Sequence, residues 1–267
     1  MKTPPSLFNL AIFAVSLILA QPVPAQEFPP DVQKSVTAVR DLVDHMGGKG
    51  AAFLYRSEGG VGTTFPDRHM IVVRFRQFPV ARVLPEGLSE SNLFAVDRAG
   101  KIEQLKDVKA LERFFRASHP PVTNEKDAKA MLEAWLTLTQ EFRQDGMLKF
   151  DVLEKEFTVE GDLSKASGRA VIMQGGNGDL NAELAYDKDG KLAGVVEKAS
   201  IRPGPRPICQ ATKLLDADPV VRRIAEQDLI IMGLSARDYM VEQRQLAAPE
   251  LREAIDRVWR RIEKNGW

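Results

Sequence analysis

From Asn124 to Gly146 the stretch NEKDAKAMLEAWLTLTQEFRQDG reads as one long amphipathic helix, and five β-rich runs follow it with no second helix between them. Ala128, Met131, Leu132, Trp135, Leu138 and Phe142 recur at three-and-four spacing, which predicts a single apolar stripe. Asn124 supplies an N-cap and Gly146 lies beyond the last turn. The runs are LKFDVL, EFTVEG, SGRAVIMQ, DLNAELAYD and LAGVVEKASI. Leu180, Ala182, Leu184 and Tyr186 alternate with polar neighbours, as in an antiparallel sheet with one wet face. GGNG and DKDG carry residues that tolerate positive φ and predict hairpin turns. Such a helix buries its stripe by lying across the meander, so the expected fold class is α+β.

Upstream, DVQKSVTAVRDLVD places Val32, Val36, Val39 and Val43 at helical spacing, with Gly47 and Gly48 as the stop. AAFLYR and HMIVVRF are β-rich and flank the glycine-rich SEGGVGTTFPD. NLFAV and KIEQL flank DRAG, another hairpin signal, and DVKALERFFRAS starts a helix capped by Asp107. This helix-then-strands order repeats the later unit in outline, so the body reads as one α+β domain, or two helix-plus-sheet subunits, over 26–201. In layout it resembles cystatin-like or nuclear-transport-factor-like folds. That likeness is topological and implies no function.

RPGPRP, at 202–207, is the sharpest punctuation in the chain and reads as a linker. Residues 208–267 read as all helix. Asp218 caps DPVVRRIAEQDLIIMG, Pro219 occupies the first helical position and Gly233 closes it. SARDYMVEQRQL follows with Ser235 as its expected cap, and then APELREAIDRVWRRIEKNG. The pattern DPVVRRIAEQDLIIMG with PELREAIDRVWRRI resembles a short bacterial HEAT-like helical repeat pair, with Trp259 near a position usually held by a smaller aliphatic residue. The resemblance implies either a surface for contacting another protein or, since a single pair must pack on the α+β body, a structural cap, and it carries no catalytic residues.

The opening residues MKTPPSLFNLAIFAVSLILAQPVPAQ have the grammar of an export signal: Lys2, an apolar run from Leu7 to Ala20, then Val23 and Ala25 as the small residues before a cut. The expected signal peptide is 1–25, and the expected location is periplasmic or extracellular. The run is short against the roughly 20 apolar residues of a spanning helix, so no stable membrane insertion is expected after cleavage, with an uncleaved anchor as the alternative. Losing Lys2 turns 37 basic side chains into 36 against 37 acidic ones. The signs are interspersed, without the basic stripe that phosphate binding requires, so no nucleic-acid partner is expected.

Motifs for chemistry come close and fail. GGNGDL places Asp179 one residue early for a calcium-binding nonapeptide, and the twelfth position of an EF-hand-like loop starting at Asp187 is Lys198. GGVGTTF lacks the lysine of a phosphate-cradling loop and has Phe65 where a dinucleotide fingerprint needs glycine; GLSES lacks the second glycine of a nucleophile elbow. His45, His69 and His119 show no metal-ligand spacing: His45 reads as a helix-end residue, His69 as a strand-end residue and His119 as an exposed loop residue. Asp151, Glu154 and Glu156 cluster as acids but read as solvated strand-edge charges. Cys209, the single cysteine, cannot form an intrachain disulfide and reads as a small apolar filler.

These readings assign no catalytic, cofactor-binding or metal residue and no cofactor. The expected function is an exported, non-catalytic binding or scaffolding protein that meets another protein through its helical C-terminal region. Two alternatives stand beside it. One is a small-ligand binder or enzyme with a cavity between the long helix and the sheet, lined by Trp135, Tyr186 and nearby carboxylates. The other is a structural envelope component.

Overall fold

The computed structural model describes residues 28–75, 83–204 and 211–264. The expected signal peptide and Cys209 lie outside these residues. The chain is an α+β protein built on two antiparallel sheets. Helix α1 (Pro30–His45) precedes β1 (Ala52–Arg56), a short α2 (Gly60–Thr64), and strands β2 (Arg68–Arg74), β3 (Ser91–Asp97) and β4 (Ile102–Leu105). These four strands form the first sheet in sequential order, β1-β2-β3-β4. Helices α3 (Val108–Ser118) and α4 (Glu125–Thr139) follow. The second sheet has the order β5-β7-β8-β9, from β5 (Lys149–Val152), β7 (Lys165–Gln174), β8 (Gly176–Tyr186) and β9 (Leu192–Pro203), with β6 (Thr158–Val159) paired to β7.

Four layers result. Val32, Val36, Val39 and Val43 of α1 pack on Ile71, Val73, Phe94 and Val96, one face of the first sheet. The opposite face, Met70, Val72, Leu93 and Ala95, packs on α3 and α4. Burial on both faces is why HMIVVRF is apolar throughout instead of alternating. Beyond α4 lies the inner face of the second sheet, with Ala166, Ala170, Leu180 and Leu184 in the same core. From Ala134 to Thr139 every residue of α4 is buried, so the predicted stripe widens to the whole circumference where the two sheets enclose the helix. The expected caps form: the Asn124 side chain accepts from the Asp127 amide at 3.0 Å and Asp107 from the Ala110 amide at 2.7 Å.

The glycine-rich segment before Phe65 folds as α2 and presses its backbone onto α4. A Cβ on Gly60 would stand 2.0 Å from the Ala130 carbonyl oxygen, so that close approach requires the glycine. At the far end, β9 continues through Arg202 and Pro203, which correspond to Asn177 and Gly176 of β8. The expected break at residue 202 is therefore corrected by two residues. β9 is an edge strand, where a proline costs no ladder bond.

The tail has its own core. Helices α5 (Pro219–Met232), α6 (Arg237–Leu246) and α7 (Pro249–Lys264) enclose Ala225, Leu229, Met232, Tyr239, Ile255, Val258 and Ile262, and Met147 of the body packs against them. Asp218 caps α5 as expected, accepting from the Val220 amide at 2.8 Å. α6 starts at Arg237 with Ala236 at its N-cap, one residue past the expected cap. Among the described residues no helix is long and apolar enough to cross a membrane.

Candidate functional site

The feature with most chemical content lies where α1 meets the first sheet. A cleft of about 640 Å³ opens between the start of α1, the start of β2 and the β3–β4 turn, with Asp31, Lys34, Ser35, His69, Asp97 and Arg98 among its lining residues. Asp31 and Ser35 stand one helical turn apart on α1, and the His69 imidazole bridges them. His69 Nδ1 is 2.8 Å from Ser35 Oγ, and Nε2 is 3.3 Å from Asp31 Oδ2. In the neutral ring that matches this pattern, Nε2–H donates to Asp31 and Nδ1 accepts the Ser35 hydroxyl. Tyr55 meets the imidazole edge-on at 5.7 Å and holds the ring plane. The Val32 amide, then the amide of Asp31 itself, and His69 hold the exposed Asp31 carboxyl below the usual carboxylate range. Arg98 pairs with Asp67 and Arg68 with Asp97 at 3.4 Å, so two of the nearby cations are engaged.

Two further carboxylates are enclosed near the end of α4. Glu141 has no exposed side-chain surface; it accepts from Arg74 Nη2 at 2.6 Å, Arg56 Nη2 at 2.9 Å and Ser91 Oγ at 2.8 Å. Glu197 faces inward from β9 and accepts from Trp135 Nε1 at 3.1 Å, Thr139 Oγ1 at 2.6 Å and Arg143 Nη2 at 3.0 Å. Both are spent on joining layers. Composition and spacing give no sign of either, because their partners are brought together only by the packing of the sheets.

The acids singled out from the sequence do not converge. Glu156 is paired with Arg169 at 2.6 Å on the outer sheet face, and Glu154 approaches Glu133, whose carboxyl is pushed up by burial and by that neighbouring charge. Trp135 is fully buried, and Tyr186 is 7 % exposed with a hydroxyl that has no partner among the described residues. Both belong to the packed core and line none of the clefts described here. His45 ends α1 as expected. Among the described residues no three His, Cys, Asp or Glu side chains are grouped to hold a metal ion.

His119 departs from its reading as an exposed loop residue. It is half-buried at the end of α3, and its Nε2 accepts the Leu192 amide of β9 at 3.2 Å. An amide only donates, so Nδ1 carries the proton and donates to the Pro120 carbonyl. Burial lowers the His119 pKa from its ordinary 6.5, against the raising effects of the Pro120 carbonyl and Asp187. The unfolded chain therefore takes up the proton first. The contribution to stability is complete above pH 6.5 and is lost as pH falls through the folded-state value. Urea unfolding at pH 7.5 and 5.5 is expected to show a larger loss in the parent than in His119→Gln, and equal losses would refute this.

Comparison with protein-family models, with curated proteins and with solved structures gave no match.

Proposed function

We propose that this chain is an exported binding protein: an α+β body that presents a short HEAT-like helical tail to a protein partner. The body's long helix on a meander is taken as cystatin-like or nuclear-transport-factor-like in layout. One observation carries the reading. On α5, Val220, Ile224 and Ile231 are 58 %, 52 % and 40 % exposed, while Ala225, Leu229 and Met232 fill the tail's core from the opposite side. With Gln227 these residues form a straight strip at helical spacing, about 16 Å long at 1.5 Å per residue.

End repeats of helical stacks keep a polar outer face, because nothing covers them. The outer face of α5 carries three exposed aliphatic side chains, interrupted by Gln227, so it has the character of an internal layer, and the occupant that fits is an amphipathic helix of the partner. The alternative of a ligand cavity between α4 and the second sheet has no comparable support, because Leu132, Trp135, Ala166, Leu180 and Leu184 fill that space.

The test uses a photo-crosslinking residue at position 224, compared with one at Arg257 on the exposed face of α7. In the extracytoplasmic fraction, position 224 is expected to yield one discrete adduct with another protein, and Arg257 none. Ile231→Asp should reduce the yield about tenfold or more, the size of effect expected when an interface anchor worth over 1.4 kcal/mol is lost. Adducts only with a second copy of the chain, or equal adducts from both positions, would overturn the reading. The same preparations report the mature N-terminus, expected at Gln26.

A further inference from the structure

We infer that Ser35, His69 and Asp31 form a second site, apart from the helical tail: a nucleophile, a general base and its positioning carboxylate, able to accept an acyl group from a small activated ester. The geometric requirements for such chemistry are a hydroxyl within hydrogen-bond reach of a base, a third group that orients the base, and space for a reacting carbonyl. The 2.8 Å Ser35–His69 contact, the 3.3 Å His69–Asp31 contact and the open cleft supply them in turn. Ser35 is only 8 % exposed, yet it lines that cleft together with His69. The ring nitrogens have exchanged the roles they hold in the familiar serine-hydrolase arrangement, with Nδ1 toward serine and Nε2 toward aspartate. Neutral imidazole has one donor and one acceptor whichever way round it sits, so the proton path is preserved.

The steps balance. Ser35 Oγ attacks the ester carbonyl carbon and its proton passes to His69 Nδ1. The carbonyl C–O bond to the alcohol then breaks, and Nδ1–H returns the proton to the departing alkoxide. Water then adds to the acyl carbon as its proton passes to Nδ1, the acyl C–Oγ bond breaks, Nδ1–H returns the proton to Ser35 Oγ, and the free acid leaves. Asp31 steadies the imidazolium while it exists.

The weak part of the site is stabilisation of the oxyanion. Ser35 lies within α1, where its amide serves the helix, and the amides of Gly100, which lines the cleft, and of its neighbour Lys101 are both committed to Asp97. Lys34, another residue lining the cleft, is the cation assigned to that role. One absent oxyanion-hole donor lowers turnover by about 10²–10³, so acylation is the step to measure, not rapid turnover.

The experiment treats the full folded chain with a fluorophosphonate reporter and maps the modified peptide. Attack by Ser35 Oγ forms an O–P bond, breaks P–F and sends the hydroxyl proton to His69. One adduct per chain on Ser35 is expected, lost in Ser35→Ala and slowed about 10²-fold in His69→Ala. Added imidazole should restore labelling to His69→Ala, and Asp31→Glu should retain more of it than Asp31→Ala, responses that a purely structural clasp does not produce. No adduct on Ser35 of the unmodified chain overturns the inference without reference to any variant's folding. An adduct whose rate is unchanged in His69→Ala overturns it equally.

Discussion

Glu141→Leu is expected to lower the unfolding free energy by about 3–5 kcal/mol, near the bottom of that range. The carboxylate has no exposed surface and is the shared acceptor for Arg56 of β1, Arg74 of β2 and Ser91 of β3. Leucine matches it in size, so little of the cost is a cavity. The cost comes from two guanidinium groups that lose their shared enclosed carboxylate, Arg56 keeping only the more exposed Glu58 at 2.7 Å, beside an Arg56 Nε that already has no partner among the described residues. Both arginines keep about a quarter of their side chains in water, at 23 % and 24 % exposure, which screens part of the penalty. The triple variant Glu141→Leu with Arg56→Met and Arg74→Met is expected to recover most of the loss, since a buried ion cluster replaced entirely by apolar groups is often neutral. Urea unfolding of the single and triple variants checks this. A loss below 1 kcal/mol in the single variant would show that solvent reaches the cluster.

Glu141 also marks where the sequence stops being legible. Periodicity, caps and turn residues are local, and they carried the elements well: the valine face of α1, the Asn124, Asp107 and Asp218 caps, and nine strands close to their expected places. What decides Glu141 is non-local. Arg56, Arg74 and Ser91 lie 85, 67 and 50 residues before it, and only the order β1-β2-β3 places them over the end of α4. Read along the chain, a glutamate in QEFRQDG is one more solvated charge at a helix end. The same holds for His69, which is unremarkable at the head of an apolar strand until α1 sets Asp31 and Ser35 on either side of it. His119, read as a loop residue because two prolines follow, is drawn inward by an amide of β9 lying 73 residues away. The extension of β9 over Pro203 was missed for a different reason, since a proline's tolerance depends on whether its strand is an edge.

Trp135→Ala is expected to cost about 3–5 kcal/mol, the range for deleting a large ring from a well-packed interior. Trp135 is 0 % exposed and packs edge-on against Phe115 at 5.1 Å, which in turn meets Phe65 at 4.8 Å. The ring therefore holds α4 to α3 and to the segment after α2, and its removal leaves space that rigid neighbours cannot close. Its second role is polar. The indole N–H is one of three donors to the enclosed Glu197 carboxylate. Trp135→Phe separates the two, because it keeps most of the aromatic contact and deletes the donor. A hydrogen bond to a charged group contributes about 1.5–3 kcal/mol, and Thr139 and Arg143 still serve Glu197, so Trp135→Phe is expected near the lower figure. Trp135→Phe with Glu197→Gln should then cost less than the sum of the single changes, since the two share one interaction. Additive losses would mean that the indole contributes through volume alone and that Glu197 is held by Thr139 and Arg143 without it.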